Sequence, residues 1–386
     1  MLDTIVLTLD KPQFDVLLPE RFSPSAKGLL GSPHYPLGSR GKLFCVQNPT
    51  KADLQAGRYL PRLTLIKQKI SNGFVLTLRI EFSAPRLVFG NNFDELEAGD
   101  FPKILDVLHQ AVDAMGIRVT SEVLRSARVS AIHYSKNVAL TDYTTCSMIM
   151  RKLALIDLNK RLDLSHTDYR DDGHAIRYHA NSFEVIFYDK LKDLKKAGYS
   201  EKRCIERDYG TQSEILRQRD SFPKQLEVLR MEARLGKRAK IRSLLECIQA
   251  NVELTFEGLF STRIAKLMLG HFWAHIRAQL MLIDKANARQ PEAMLAALAV
   301  ASKGTVRPGK LLRQLGGVML VDSIGVRGAS AILSRHCGPR SCQRYKREFK
   351  ALPVASANAF SALKQVHEAL ARFEPLRIAA FRANAI

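Results

Sequence analysis

Two residues of the right type for nucleophilic chemistry stand close together in Asn181-Ser182-Phe183-Glu184-Val185-Ile186-Phe187-Tyr188-Asp189-Lys190. The stretch alternates like a strand. Phe183, Val185 and Phe187 fall on one face; Glu184, Ile186, Tyr188 and Lys190 fall on the other. A tyrosine and a lysine therefore project from the same side. A phenol with a pKa of about 10 is a poor nucleophile at neutral pH. A nearby ammonium group or divalent metal would lower that pKa by favouring the phenolate. A half-buried strand with an aromatic at its edge would show the same pattern, and what separates the two is company elsewhere in the chain.

That company sits on three further alternating stretches. Phe74 to Phe82 offers Glu81 with Arg79 and Thr77, Arg128 to Lys136 offers His133 with Ser135, and Gln225 to Leu235 offers Glu232 between Arg230 and Arg234. If these strands are neighbours with their apolar faces down, the groups gather on one polar surface. Two carboxylates and an imidazole suit Mg²⁺ or Mn²⁺, and the arginines suit phosphate. With Tyr188 and Lys190 this is equipment for metal-assisted phosphodiester cleavage through a phosphotyrosine. A solvated sheet face laced with surface ion pairs carries the same alternation.

The elements that must position these groups read as follows. Residues 3 to 10 form a first strand, and residues 17 to 58 are loop-rich in Pro and Gly. Arg62 to Ile70 and Phe74 to Phe82 form a hairpin about Ser71-Asn72-Gly73. Phe101 to Met115 is a helix with Ile104, Val107, Leu108, Ala111, Val112 and Met115 at helical spacing on its buried face. A second helix, capped by Asp142 or Thr144, runs through Asp157, and Lys192 to Asp208 is a charged helical connection. Beyond Gly236 the pattern is helical. The expected fold is α+β: an antiparallel sheet with helices on its apolar face, followed by an all-α basic C-terminal region. The division is 1–236 for the sheet domain, 237–303 for a helical region packed on it, and 304–386 for the basic tail.

Composition points to an anionic partner. The chain has 386 residues with 59 Lys/Arg against 38 Asp/Glu, a net charge of +21, which favours nucleic acid over a membrane surface. No apolar run has transmembrane length. Six cysteines with no CxxC pair suit reduced thiols in a cytoplasm. Residues 304–386 carry fourteen Lys/Arg against four Asp/Glu, a net of +10. Within them, Gly325 to Leu333, a turn at Arg335 to Gly338, and a basic helix bearing Arg340, Arg344, Lys346 and Arg347 fit a helix-turn-helix. A basic cap that only neutralises phosphates fits equally. Gly304 to Leu311 nearly spells a P-loop, but Leu311 stands where a Mg²⁺-binding hydroxyl is needed. His271 and His275 lack the glutamate of a zinc-protease helix, since position 272 is Phe. His174 and His179 flank Tyr178; a polar loop is the reading here, with His179 near enough to line the site and touch DNA.

Four segments in order, Tyr59-Leu60-Pro61-Arg62-Leu63-Thr64-Leu65, Leu78-Arg79-Ile80-Glu81-Phe82-Ser83-Ala84-Pro85, Phe187-Tyr188-Asp189-Lys190 and Val228-Leu229-Arg230-Met231-Glu232-Ala233-Arg234, resemble the replication initiators of filamentous phages and related plasmids, the gene II/X family. The resemblance runs patchily over residues 1 to 350. It implies an enzyme that nicks one strand at a double-strand origin, frees a 3′-OH for a host polymerase and helicase, and later re-ligates. It implies Tyr188 as nucleophile, Glu81 and Glu232 as metal ligands, and a bacterial cytoplasm as its place of action, with oligomerisation open. His133 stands where the family has an Asp. A non-catalytic origin-binding or repressor protein, and a metal-independent tyrosine recombinase or topoisomerase, are the competing readings.

Overall fold

The computed structural model describes residues 1–31, 41–50, 52–53, 56–71, 73–140, 145–156, 158, 164, 166–170, 174–199, 227–286, 295, 298–299, 307–350 and 361–378. Its strands are β1 (Leu2–Asp10), β2 (Asp15–Val16), β3 (Lys42–Gln47), β4 (Arg62–Ile70), β5 (Gly73–Ser83), β6 (Ile117–Arg118), β7 (Arg128–Leu140), β8 (His166–Arg170), β9 (Ala175–His179), β10 (Phe183–Asp189) and β11 (Glu227–Leu235). The helices are α1 (Lys27–Gly31), α2 (Ala84–Phe89), α3 (Phe101–Ala114), α4 (Ser121–Arg125), α5 (Cys146–Ala154), α6 (Lys190–Tyr199), α7 (Arg238–Cys247), α8 (Phe256–Leu259), α9 (Thr262–Ala286), α10 (Pro308–His336), α11 (Pro339–Lys350) and α12 (Ser361–Arg372). Nine strands make one sheet in the order β3-β4-β5-β1-β7-β11-β10-β9-β8, every pair antiparallel. The architecture is thus α+β with a large antiparallel sheet.

Alternation built this sheet. Leu78, Ile80 and Phe82 of β5, Val185 and Phe187 of β10, and Leu229, Met231 and Ala233 of β11 are all buried under the helices. Aromatic contacts tie helices to strands there: Phe82 meets Phe256 of α8 edge-on at 5.8 Å, and Phe183 stacks on Phe272 of α9 at 5.2 Å. In α3, Ile104, Leu108, Ala111 and Val112 recur at helical spacing and are buried as expected. Thr145 caps α5, its hydroxyl accepting from the Met148 N–H at 3.2 Å. The caps expected at Asp142 and Thr144 lie outside the described residues, as do Gly304, Thr305 and Val306 of the near P-loop, whose Pro308 to Leu311 open α10.

Two strand pairings were hidden in stretches read as loop. β3 lies inside the Pro- and Gly-rich region and pairs with β4. The stretch read as a polar loop around His174 and His179 is the β8–β9 hairpin, and β9 pairs with β10. Both are short, so period-2 alternation had few residues in which to show.

The second face of the sheet corrects the expectation more deeply. It is not simply solvated. Segment 91–97, the C-terminal segment 374–378 and α6 cover it over β7, β11 and β10. Phe93, Leu191, Leu194, Val228 and Ile378 form a small apolar cluster there. Leu376 N–H donates to the Glu95 carboxylate at 2.8 Å, Glu95 N–H to the Leu376 carbonyl at 3.2 Å, and Ile378 N–H to the Asp94 carboxylate at 2.7 Å. The division drawn at residue 304 therefore cuts between segments that pack together, since Val366, Leu370 and Phe373 also belong to the main core.

In the basic region α10 breaks at Gly325, whose φ of 72° only glycine adopts without strain. α11 then turns back on α10: the Tyr345 hydroxyl donates to the Gly317 carbonyl at 3.1 Å. A Cβ at Gly317 would stand 2.6 Å from that hydroxyl, so the close approach needs glycine. Among the described residues, no helix is long and apolar enough to cross a membrane.

Candidate functional site

The strand register decides which polar groups meet. Directly paired residues on neighbouring strands share a face. Tyr188 lies opposite Arg230, which lies opposite Asn137; Ile186 lies opposite Glu232, which lies opposite Ser135. One step along, Glu184, Arg234, His133 and Thr4 form a row across β10, β11, β7 and β1. Tyr188 and His133 are thus both diagonal neighbours of Glu232, from opposite sides. The Tyr188 hydroxyl lies 3.3 Å from Glu232 Oε2, and His133 Nδ1 lies 3.5 Å from Glu232 Oε1.

A third acid joins them that the sequence reading missed. The β1–β7 register shifts between Leu2 and Thr4, so Asp3 is the extra residue of a bulge. Its side chain joins the polar face, where Oδ1 bonds Arg230 at 2.8 Å. Asp3, His133 and Glu232 have potential ligand atoms all within 4.8 Å of one another. The available signal was Asp3 itself, a carboxylate in phase with the apolar Ile5, Leu7 and Leu9, which breaks period-2 alternation. Glu81, expected as a ligand, does not join. It sits on β5, beyond β1, opposite Val6, and is exposed. Asp3 supplies the carboxylate in its place.

The arginines divide by burial. Arg230 is 2% exposed; it donates to the Asn92 carbonyl at 2.6 Å and Ser135 Oγ at 2.8 Å, besides its pair with Asp3. It is held inside the fold and is not placed to touch DNA, contrary to the expectation for it. Burial alone would weaken its proton, but Asp3, Tyr188 and Glu232 outweigh that and raise its pKa. Arg234 is about one-third exposed (33%) and clasps Glu232 side-on, Nε to Oε1 at 2.8 Å and the second nitrogen to Oε2 at 3.3 Å. Arg79 lies on the same face of β5, opposite Thr8 and Thr64, with its buried Nε unpartnered.

Protonation states follow from burial. At Glu232, burial pushes the pKa up, but Arg234, Arg230 and His133 more than reverse it and hold the carboxyl well below its usual range. Burial lowers the pKa of His133 against the pull of Glu232, leaving a neutral imidazole with a free lone pair. Burial raises the Tyr188 pKa well above its ordinary value, and Glu232 adds to the effect. Arg230 pulls the other way, less strongly than burial pushes. Lys190 does not supply the missing charge: it is fully buried and stands 5.8 Å from the Tyr188 ring centroid, with Nζ bonded to Asn92 Oδ1 at 3.0 Å. Burial first, then Arg230, bring its pKa down to about 7. It also begins α6 and does not continue the strand.

The remaining candidates lie apart. His179 ends β9 and pairs through Nδ1 with Glu184 at 2.8 Å, on the rim of the site. His174 lies within 2.9 Å of Lys192 Nζ. Tyr178 points into the opposite, helical face and donates to the Leu153 carbonyl at 2.8 Å, so it cannot replace Tyr188. His271 and His275 meet edge-on at 4.9 Å on α9, half-buried, with Ile264 and Met268 of the same helix buried. Arg340, Arg344 and Arg347 are exposed on α11, at i, i+4 and i+7; the side chain of Lys346 lies outside the described residues. A second acid-rich group, Cys146, Asp189 and Glu227, has a structural role. Glu227 accepts the Cys146 N–H at 2.5 Å and Asp189 the Lys192 N–H at 3.0 Å, so each carboxylate satisfies the start of a helix.

The donor set of the main site fits a hard divalent cation: two carboxylates and a neutral imidazole suit Mn²⁺ or Mg²⁺. No protein-family model, curated protein or solved structure matches the chain.

Proposed function

We propose that this protein is a metal-dependent DNA strand transferase that nicks one strand at a replication origin through Tyr188 and later rejoins it, as in rolling-circle initiation. The observation that carries the reading is the convergence of Tyr188, Glu232, His133 and Asp3, from four strands, on one polar face, with the Tyr188 hydroxyl 3.3 Å from Glu232. The resemblance to the gene II/X initiators supports the same roles for Tyr188 and Glu232. Asp3, His133 and Glu232 would hold Mg²⁺ or Mn²⁺, which when bound supplies a Lewis acid for a phosphoryl oxygen and favours phenol ionisation.

The chain's own residues do the rest. The Tyr188 oxygen bonds to the scissile phosphorus as the phosphorus–3′-oxygen bond breaks, and the phenolic proton passes through solvent to the 3′ oxygen, which leaves as a hydroxyl. The 5′ phosphate stays on the tyrosine. One phosphoester is exchanged for another, so attack by a 3′-OH reverses the step without ATP. Arg234 and Arg79, at the exposed end of the face, draw in phosphate. Arg230, paired with Tyr188 across the strands, keeps a fixed positive charge beside the ring. The freed 3′-OH primes a host polymerase, with a host helicase opening the duplex.

The net charge of +21 and the exposed arginines of α11 also suit a protein that only binds DNA. One experiment separates the readings. Supercoiled DNA bearing candidate origins is incubated with protein and Mn²⁺ or Mg²⁺, with an EDTA control, for the native protein and for Tyr188→Phe, Asp3→Asn and Glu81→Gln. Metal-dependent open circles with protein on the 5′ end, lost in Tyr188→Phe and reduced by orders of magnitude in Asp3→Asn but not in Glu81→Gln, are expected. Binding without nicking supports the second reading. Nicking that resists EDTA removes the metal.

A further inference from the structure

The charges around Glu232 are already balanced before any metal arrives. Asp3 pairs with Arg230 at 2.8 Å, and Glu232 with Arg234 at 2.8 Å. A dication entering this site meets no net attraction while both guanidinium groups stay. The two differ in freedom. Arg230 is buried and fixed by bonds to Asp3, Asn92 and Ser135. Arg234 is one-third exposed (33%), and beyond Glu232 it meets Glu184, at a loose 3.8 Å. Arg234 also covers both oxygens of Glu232, one at 2.8 Å and one at 3.3 Å. The carboxylate is 1% exposed. A cation reaches Glu232 freely when Arg234 turns away.

We infer that Arg234 is an exchangeable latch on the metal site: a DNA phosphate draws it off Glu232, and DNA and divalent metal therefore bind cooperatively. The inference rests on the metal reading of this face, though not on Tyr188 being the nucleophile. A phosphate is the fitting trigger because a guanidinium pairs with it bidentately, as it does with the carboxylate it leaves. Linkage makes the effect reciprocal: if DNA tightens metal binding, metal tightens DNA binding by the same factor.

The test measures Mn²⁺ binding directly, from the resonance of the free ion, on full-length protein with and without a short single-stranded oligonucleotide, after subtracting Mn²⁺ bound by the oligonucleotide alone. Native protein is expected to bind Mn²⁺ roughly tenfold more tightly with DNA than without it. Arg234→Gln is expected to bind Mn²⁺ without DNA about as tightly as the native protein does with it, and DNA then adds little. Glu232→Gln loses the site under both conditions. Arg234→Lys keeps the charge without the side-on grip and falls between. It also serves as the test if the glutamine variant does not fold. An Arg234→Gln protein that binds Mn²⁺ no more tightly than the native one, or DNA coupling of the same size in both, overturns the latch. A Glu232→Gln protein that titrates like the native one overturns the metal site itself, whatever the nicking assay shows.

Discussion

Glu95 is where the covering of the site can be broken with one atom exchanged. Its carboxylate is 3% exposed and pairs with Lys136 Nζ, also 3% exposed, at 2.5 Å. It accepts the Asn137 N–H at 2.6 Å on one oxygen and the Leu376 N–H at 2.8 Å on the other. Glu95→Gln keeps the shape but removes the charge. Whichever way the amide turns, its NH₂ faces a donor: the Asn137 N–H, or the Lys136 ammonium and the Leu376 N–H. The Lys136 charge is left buried without its partner. Breaking such a pair costs about 3–5 kcal/mol, a large share of a typical stability of about 5–15 kcal/mol. The protein should stay folded in water with a much lower urea midpoint. Asn92, in the same loop, holds both Lys190 and Arg230, so nicking should slow in the folded variant although Glu95 touches neither. The double variant Glu95→Gln/Lys136→Met removes both charges and should recover most of the loss, because well-packed apolar replacement of a buried pair is close to neutral. A single-variant loss below about 1 kcal/mol, or a double variant no better than the single, would refute the account of the clamp.

Further outcomes follow from the same geometry. Lys190 has its pKa lowered from 10.5 to about 7 by burial; between those values the unfolded chain binds the extra proton, so its contribution to stability rises with pH, by about 1.4 kcal/mol per unit at most, and is flat below the lower value. Urea unfolding of native protein and Lys190→Met across pH 6 to 10 should show the difference between them closing in the native protein's favour as pH rises; a constant difference would mean an ordinary lysine. Replacing Arg340, Arg344 and Arg347 with Ala should flatten the salt dependence of duplex binding by roughly two to three units of log slope, at about 0.9 per phosphate contact, and an unchanged slope would take α11 off the DNA. Removing residues 373–386 should lower stability and nicking together, as measured by urea midpoint and open-circle yield, because Leu376 and Ile378 pack on the loop that holds Lys190 and Arg230; a truncated protein with native values for both would show the strap to be idle.

Much of the sheet was legible because alternation over nine or more residues leaves few other solutions. The β4–β5 hairpin, β1 and the strand bearing Glu232 fell close to where their patterns put them. So did the pairing of Tyr188's face with that of Glu232, since apolar residues at 183, 185 and 187 and at 229, 231 and 233 fix both strands the same way up. What alternation cannot show is strand order. β1 inserts between β5 and β7, and that alone moves Glu81 out of the cluster. Nor does alternation show a bulge from one strand only, because a bulge is a property of the pair; Asp3 joins the site through a mismatch with β7. Exposure was misjudged for a third reason. A polar face was taken to be a wet one, whereas Lys190, Arg230 and Glu232 are buried by segments about 90 and 150 residues away in the chain, which no local pattern announces.

That burial changes what the polar groups can be for. A surface tyrosine flanked by cations ionises easily and is open to any phosphate. Here the phenol is held protonated, the lysine beside it is near its neutral form at physiological pH, and the carboxylate beside it is clasped by an arginine. Each group is kept out of its reactive state by a partner that the fold supplies. Arg234, one-third exposed, is the partner that an incoming phosphate can reach. The arrangement costs stability, since buried charge is expensive even when paired. On the proposed reading it would suit a strand transferase that must not cut the wrong strand, since reactivity would appear only when the right anion and the right cation displace the internal ones together. Specificity for an origin then need not come from base contacts in the site. On that reading the basic helices outside it would choose the DNA, while the buried face would decide only whether a phosphate is seated well enough to release Arg234.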